Sequence, residues 1–353
     1  MNTDGIPCMQ MRGGSSKGAY FLAADLPANP HERDDLLLRI MGSPDERQID
    51  GIGGGHPLTS KIAVISRSAD AQADVDYLFL QVMPDRAVVT DAQTCGNLLA
   101  GVGPFAVERG LVSPGGDLTT VRIRILNPAV RFAEARVQTP GGRVRYDGDT
   151  VMAGTPFPAA PIGLRFPGDA GSVFPTGRLV DRFGDIEVTC VHAGMPVVVV
   201  RAADLGLDGA ESPEELEENT GLRATVEAVR CAAGPAMGLG DVRDTTVPKI
   251  SIVSPPRHGG TVTTRTFIPH RVHAAIGVLG AVSVAAAVRT AGTVAHTTGG
   301  SLVRTEHPTG TFDVDVTLDG TGSGTRLHAS SVVRTARKLS DGLVWPRKGG
   351  QSV

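Results

Sequence analysis

The chain is poor in aromatic residues, which fill 4% of its 353 positions, and it carries no excess of basic charge. Its 34 Lys and Arg stand against 37 Asp and Glu, for a net charge of −3. No basic stripe and no aromatic platform is present, so the phosphate contacts and base stacking that hold nucleic acid are missing. No apolar run reaches the roughly 20 residues that a membrane-spanning helix needs. The longest, 274–288, is apolar all round and predicts a buried core helix. The opening Met-Asn-Thr-Asp-Gly-Ile-Pro lacks the basic and apolar regions of a secretory signal, which makes the cytoplasm the expected compartment. The four cysteines, at positions 8, 95, 190 and 231, form no C-x-x-C pair. Neither a disulfide framework nor a zinc ribbon is expected, and reduced thiols are. His270 and His273 would share a face if they lay on a helix, but no third ligand accompanies them, so no metal is expected.

What is abundant is glycine, at 45 residues, with 24 prolines, which predicts many tight turns and short strands. A chain of this length and 41% hydrophobic content accommodates roughly two domains. The central stretch is Asp91-Ala-Gln-Thr-Cys-Gly-Asn-Leu-Leu-Ala-Gly-Val-Gly-Pro-Phe-Ala106. Thr94 is the expected N-cap, and 98–107 reads as a buried helix that Pro104 should kink or end. Cys95 then sits at the positive end of a helix dipole, where a thiolate is favoured. The amides of Gly96 and Asn97 could hold a carboxylate. A structural cysteine ahead of a core helix is the alternative.

Two glycine-rich loops precede this stretch. Arg12-Gly-Gly-Ser-Ser-Lys-Gly18 lies between expected strands at 6–12 and 19–22. It offers the hydroxyls of Ser15 and Ser16 and the cation of Lys17, and reads equally as an anion-facing loop or a plain hairpin turn. Gln48-Ile-Asp-Gly-Ile-Gly-Gly-Gly-His-Pro-Leu-Thr-Ser-Lys61 runs into a strand that starts at Lys61. A lysine at that junction is expected to be partly buried and able to act as a base, the alternative being a surface lysine at a strand start. Strands are also expected at 75–82, 121–126, 130–137, 143–146, 186–191, 196–200, 249–253, 261–267 and 312–318, and near 302 and 332–335. Ser212-Pro-Glu-Glu opens a helix with its cap, N1 proline and acidic first turn in order.

In the second half, Phe267-Ile-Pro-His-Arg-Val-His273 again feeds an apolar, small-residue helix. Leu99-Ala-Gly-Val-Gly-Pro-Phe-Ala106 and Ala275-Ile-Gly-Val-Leu-Gly-Ala-Val282 look like two copies of one element. The expected architecture is therefore α+β with two similar lobes, each with a core helix, and the composition of 148–161 suggests the crossover. Two such helix starts facing each other would make one polyanion site, with His270, Arg271 and His273 meeting substrate carboxylates.

Arg12 to Gly18, Gln48 to Gly53, Leu58-Thr-Ser-Lys61, Cys95-Gly-Asn97, Gly101-Val-Gly-Pro-Phe105, Gly194-Met-Pro196 and Phe267-Ile-Pro-His-Arg271 together resemble the PrpF-like isomerases, and among them the 4-oxalomesaconate tautomerases. The matches run in order over nearly the whole chain. The resemblance implies the diaminopimelate epimerase-like fold: two pseudo-symmetric lobes, each a mixed sheet rolled around a central helix, with residues 1–148 and 329–353 in the first and 149–328 in the second. It implies a cofactor-independent shift of a proton on an unsaturated keto-tricarboxylate in gallate-type aromatic degradation, with a methylaconitate-type allylic isomerase or a non-catalytic carboxylate-binding protein as alternatives. It also implies Lys61 as the proton-moving base, Cys95 as partner acid or enolate stabiliser, and anion contacts at Ser15, Ser16, Lys17, Gly96, Asn97, His270, Arg271 and His273. The small tricarboxylate is the expected partner, with no nucleic acid or membrane, and a homodimer is open. One departure is visible: where diaminopimelate epimerase has a second cysteine, this corner reads Arg271-Val-His-Ala-Ala-Ile-Gly277. A two-thiol mechanism is therefore not expected.

Overall fold

The computed structural model describes residues 5–168, 171–243 and 245–349. The chain divides into two compact units. One comprises the residues up to Arg165 together with those from Val333 on, and the other is Phe166–Val332. The segment 149–165 thus lies with the first unit.

The first unit holds strands β1 (Ile6–Gly13), β2 (Ser16–Leu22), β3 (Lys61–Arg67), β4 (Val75–Val82), β5 (Val89–Thr90), β6 (Leu118–Ile125), β7 (Arg131–Gln138) and most of β8 (Pro161–Pro167), with helices α1 (Pro30–Met41) and α2 (Gly96–Glu108). The strand order is β1-β2-β3-β4-β6-β7-β8, with β5 beside β4. Pairing is parallel at β2–β3 and β4–β6 and antiparallel elsewhere. α2 is buried from Leu98 to Val107 and packs on β1, β2, β3, β4, β6 and β7, so this mixed sheet is rolled around it. α1 covers the other face. There Leu37, Ile40 and Met41 pack on Phe21, Ile62, Val64 and Leu80.

The second unit holds β9 (Asp181–Phe183), β10 (Ile186–His192), β11 (Pro196–Arg201), β12 (Lys249–Ser254), β13 (Val262–Phe267), β14 (Leu302–His307), β15 (Gly310–Asp319) and the first part of β16 (Arg326–Val344), with α3 (Pro213–Glu218), α4 (Thr220–Ala236) and α5 (Val278–Arg289). From β16 inward the order is β15-β14-β13-β12-β11-β10-β9, parallel at β11–β12 and β13–β14. α5 packs on β10, β11, β14 and β15, while α3 and α4 cover the opposite face through Leu216, Leu222, Val226 and Val229.

The duplication read from the two small-residue helices is present in the topology. β1, β2, β3, β4, β6, β7 and β10, β11, β12, β13, β14, β15 repeat one sequence of antiparallel and parallel pairings. An outer helix follows the second strand of each set and the central helix follows the fourth.

Several local expectations are corrected. Cys95, not Thr94, is the N-cap of α2, and its side chain makes no cap bond. Pro104 does not end the helix, which continues to Glu108. The preceding residue is Gly103, which has no Cβ to clash with the proline ring. Residues 143–146 form no strand. A turn at Pro140–Gly142 with positive φ at both glycines leads the chain away, and β8 takes the place beside β7. The final strand is one long β16, not a short one at 332–335.

Candidate active site

The first unit gathers its chemistry at one end of the sheet. β2 and β3 run parallel in register Gly18↔Lys61, and β3 and β4 antiparallel in register Lys61↔Gln81. Alternation along the strands then puts Tyr20, Lys61, Ala63, Tyr77, Phe79 and Gln81 on the face that α2 covers. Two phenols on this face fix the helix start. The Tyr20 hydroxyl donates to the Leu98 carbonyl at 2.7 Å, and the Tyr77 hydroxyl to the Cys95 carbonyl at 3.2 Å. Burial first, and the neighbouring Cys95 second, push both phenols well up, so they stay protonated donors.

The glycines of the first loop let it reach the same place. Gly14 has a φ of 52°, and a Cβ on Gly13 would stand 2.6 Å from the Asn97 carbonyl oxygen. The turn therefore lies against the first turn of α2. Asn97 Nδ2 donates to Ser15 Oγ at 3.2 Å. Ser16 is the first residue of β2; its hydroxyl is buried and has no hydrogen-bond partner among the described residues. The Lys17 amide donates to the Leu58 carbonyl of the second loop at 2.9 Å. A Cβ on Gly54 would stand 3.5 Å from Lys17 Nζ, so the lysine head lies over that loop.

Lys61 is 7% exposed. Its Nζ donates to Gln81 Oε1 at 2.8 Å and lies 5.1 Å from the centre of the Phe79 ring. Among the described residues, neither Lys61 nor Lys17 forms an ion pair with a carboxylate. A buried cation held by a neutral amide and a π-face is free to meet an anionic ligand.

Three amide side chains hold this site, and of these only Gln48 lay in a motif singled out from the sequence. Gln81 Nε2 donates to the carbonyls of Pro57, Ser60 and Val82, at 3.1, 3.0 and 3.2 Å. Gln48 Oε1 accepts from the Gly55 amide and the Ser60 hydroxyl, so it orders the second loop from within. Asn127 Nδ2 donates to the carbonyls of Phe79, Asp91 and Gln93, which fixes the approach to Cys95. Gln48 could be suspected from its Gly-rich loop, whereas Gln81 and Asn127 stand in stretches without glycine and act across gaps of 20 and 48 residues that only the fold closes.

The structure thus brings Ser15, Ser16, Lys17, Lys61, Cys95, Gly96 and Asn97 into the first unit's site. His270, Arg271 and His273 belong to the second unit and are not on a helix. α5 starts only at Val278, and the corner turns back through Ile268 N to Arg271 O at 2.6 Å and a bridge between Phe267 and Val272. The two histidines therefore share no helical face. His270 is exposed, and the exposed Arg271 pairs with Glu217 at 3.3 Å. His273 is half-buried, and its Nδ1 accepts from the Ala275 amide at 2.8 Å, which leaves Nε2 as the donor. Burial, and then Lys249, push its imidazole down toward the neutral form. Among the described residues, no group of three or more His, Cys, Asp or Glu could hold a metal ion.

A family model described as PrpF protein matches residues 4–346. The (4E)-oxalomesaconate Delta-isomerase of Novosphingobium sp. is 52% identical over 98% of both chains. The 4-oxalomesaconate tautomerase of Pseudomonas putida is 52% identical over 96% of this chain and 95% of its own. The crystal structure of a methylitaconate-delta-isomerase superposes with a TM-score of 0.87 at 32% identity, over 99% of this chain and 98% of that one. With the family model spanning residues 4–346 and two relatives 52% identical over nearly all of the chain, this chain belongs to the PrpF family and is an isomerase.

Proposed function

We propose that the chain isomerises a 4-oxalomesaconate-like unsaturated keto-tricarboxylate by proton transfer alone, without a cofactor, as a step in gallate- or protocatechuate-type aromatic degradation. The observation that carries this reading is Lys61: buried, held by a neutral amide, and on the sheet face covered by a helix whose first residue follows Cys95. In a 4-oxalomesaconate-like substrate one CH2 lies between the keto group and the double bond, and both acidify its C–H. Lys61 removes that proton and a dienolate forms. Amides at the start of α2 and the cation of Lys17 stabilise it as charge moves onto oxygen. A proton returned at another position completes the keto–enol or 1,3-allylic shift, and Cys95 supports the intermediate or returns that proton. The higher identity to oxalomesaconate enzymes than to the methylitaconate isomerase favours the keto-tricarboxylate over a methylaconitate-like one.

Proton NMR in deuterated water tests the reading, because it reports the substrate and the carbon that exchanges. Lys61→Met should lose deuterium incorporation by about 10²–10⁴-fold while still binding tricarboxylates. Cys95→Ser should slow turnover and retain exchange. Wild-type exchange in Lys61→Met, with none in Cys95→Ser, reverses the two roles. Binding without exchange in the wild type points to a carboxylate-binding protein.

A further inference from the structure

Two phenols hold the start of α2, and they act on different peptides. Both rings are fully buried under the helix. The Tyr77 hydroxyl takes the Cys95 carbonyl at 3.2 Å, and the Tyr20 hydroxyl takes the Leu98 carbonyl at 2.7 Å. Cys95 is the N-cap, extended at φ −129° and ψ 102°, and its side chain makes no cap bond. The first intrahelical bond runs from the Leu99 amide to the Cys95 carbonyl at 3.1 Å. The amides of Gly96, Asn97 and Leu98 therefore have no partner within the helix.

The Cys95 carbonyl and the Gly96 amide are the two ends of one planar peptide, joined by a C–N bond with partial double-bond character. A donor on the oxygen draws electron density through that bond and makes the N–H a stronger donor. Tyr77 acts on this peptide directly. Tyr20 acts one hydrogen bond further away, because the Leu98 carbonyl shares its peptide with the Leu99 amide, which in turn donates to Cys95. Tyr77 also fixes direction. Asn127 Nδ2 holds the carbonyls of Asp91 and Gln93. With Tyr77 on Cys95, every second carbonyl from 91 to 95 is then gripped by a side chain, and the plane of the Cys95–Gly96 peptide is set.

We propose that Tyr77 is a positioning residue for the anion-binding turn: it orients and polarises the Cys95–Gly96 peptide, so that the Gly96 amide meets the substrate oxygen on which negative charge collects. This role rests on reading that amide as an anion contact during proton transfer, and all of its parts belong to the first unit. Tyr77 acts through the peptide and moves no proton.

The chain has one Cys–Gly peptide, Cys95–Gly96. Full-length protein labelled with carbonyl-carbon-13 cysteine and nitrogen-15 glycine therefore gives a single carbonyl–amide NMR correlation. Without substrate, Tyr77→Phe should move its carbonyl carbon and amide proton upfield, since the donor on the oxygen is lost. Tyr20→Phe should move them less, although it deletes the shorter bond. In the deuterium-exchange assay with 4-oxalomesaconate, Tyr77→Phe should lower kcat by about 3–30-fold, less than the loss of a whole oxyanion donor. KM should stay within a few-fold, because the charge on the oxygen is greatest in the dienolate. Tyr20→Phe should lower kcat less. An unmoved correlation or a wild-type kcat in Tyr77→Phe overturns the assignment. So do equal losses of kcat in the two variants, since a general loosening of the helix start would then account for both. Failure of Tyr77→Phe to fold would make the bond structural and also overturns it. A wild type that exchanges no proton on any tricarboxylate, with the correlation still moved in Tyr77→Phe, would sink the isomerisation reading and leave the polarised peptide standing.

Discussion

At the scale of single residues, the candidate site divides into groups proposed to carry chemistry and groups that hold them. Lys61 and Cys95 were legible because each sits where a polar motif meets an apolar element, and motif and junction are both local in sequence. Gln81 was not, because its meaning lies in facing Lys61 across a ladder 20 residues away. Its amide orientation follows from its surroundings, since three carbonyls crowd the nitrogen and leave the oxygen for the lysine. Gln81→Met would remove the acceptor of the Lys61 Nζ bond and leave the three loop and strand carbonyls without their donor. Deuterium exchange should slow by about 10-fold in this variant, the loss of one buried hydrogen bond to a charged group. Wild-type exchange in a natively folded Gln81→Met would show that position 81 does not act on Lys61.

At the scale of elements, hydrophobic pattern and caps located the helices well. Ser212 and Glu215 form the capping box that their spacing suggested. The long β16 was missed, because its second part alternates little and carries exposed charges. A different local element shows how a polar side chain can organise a loop. Glu306 on β14 is 3% exposed. It accepts from the amides of Arg257, His258 and Gly260 and from the Thr263 hydroxyl. Burial pushes this carboxyl up, but those four donors outweigh it and hold it at about 2. A depressed carboxyl adds stability that is complete above its unfolded value near 4.5 and is lost as pH falls toward 2. Glu306→Gln should destabilise the protein by about 1–3 kcal/mol at neutral pH and flatten acid denaturation over that window. Urea titrations at several pH values check it, and a parallel offset at every pH would contradict the linkage.

Across the whole molecule, the two similar helices predicted the doubling, and the topology bears it out strand by strand. The equivalence of β3 and β12 was hidden, since it appears only once both sheets are ordered. Lys17 and Lys61 of the first unit form no ion pair with a carboxylate among the described residues, although the chain is slightly acidic overall. Local positive potential should therefore draw in a polyanionic substrate. We expect kcat/KM to fall several-fold between about 0.05 and 0.5 M monovalent salt, with kcat little changed. Equal effects of salt on both constants would argue against steering.

The pairing of β1 with the far end of β16, from Ile6↔Val344 to Gly13↔Ala336, has a consequence for the order of biosynthesis. The N-terminal unit leaves the ribosome first, yet it lacks a sheet neighbour until residues 336–344 have been made. The second unit is a continuous stretch and has its strands as soon as β16 begins. At about 5–20 residues per second, β1 waits on the order of 20 s or more with one edge unpaired. The half of the protein that carries Lys61 and Cys95 is therefore the last to be finished, and a chain cut short before β16 ends should give a folded second unit attached to an incomplete first.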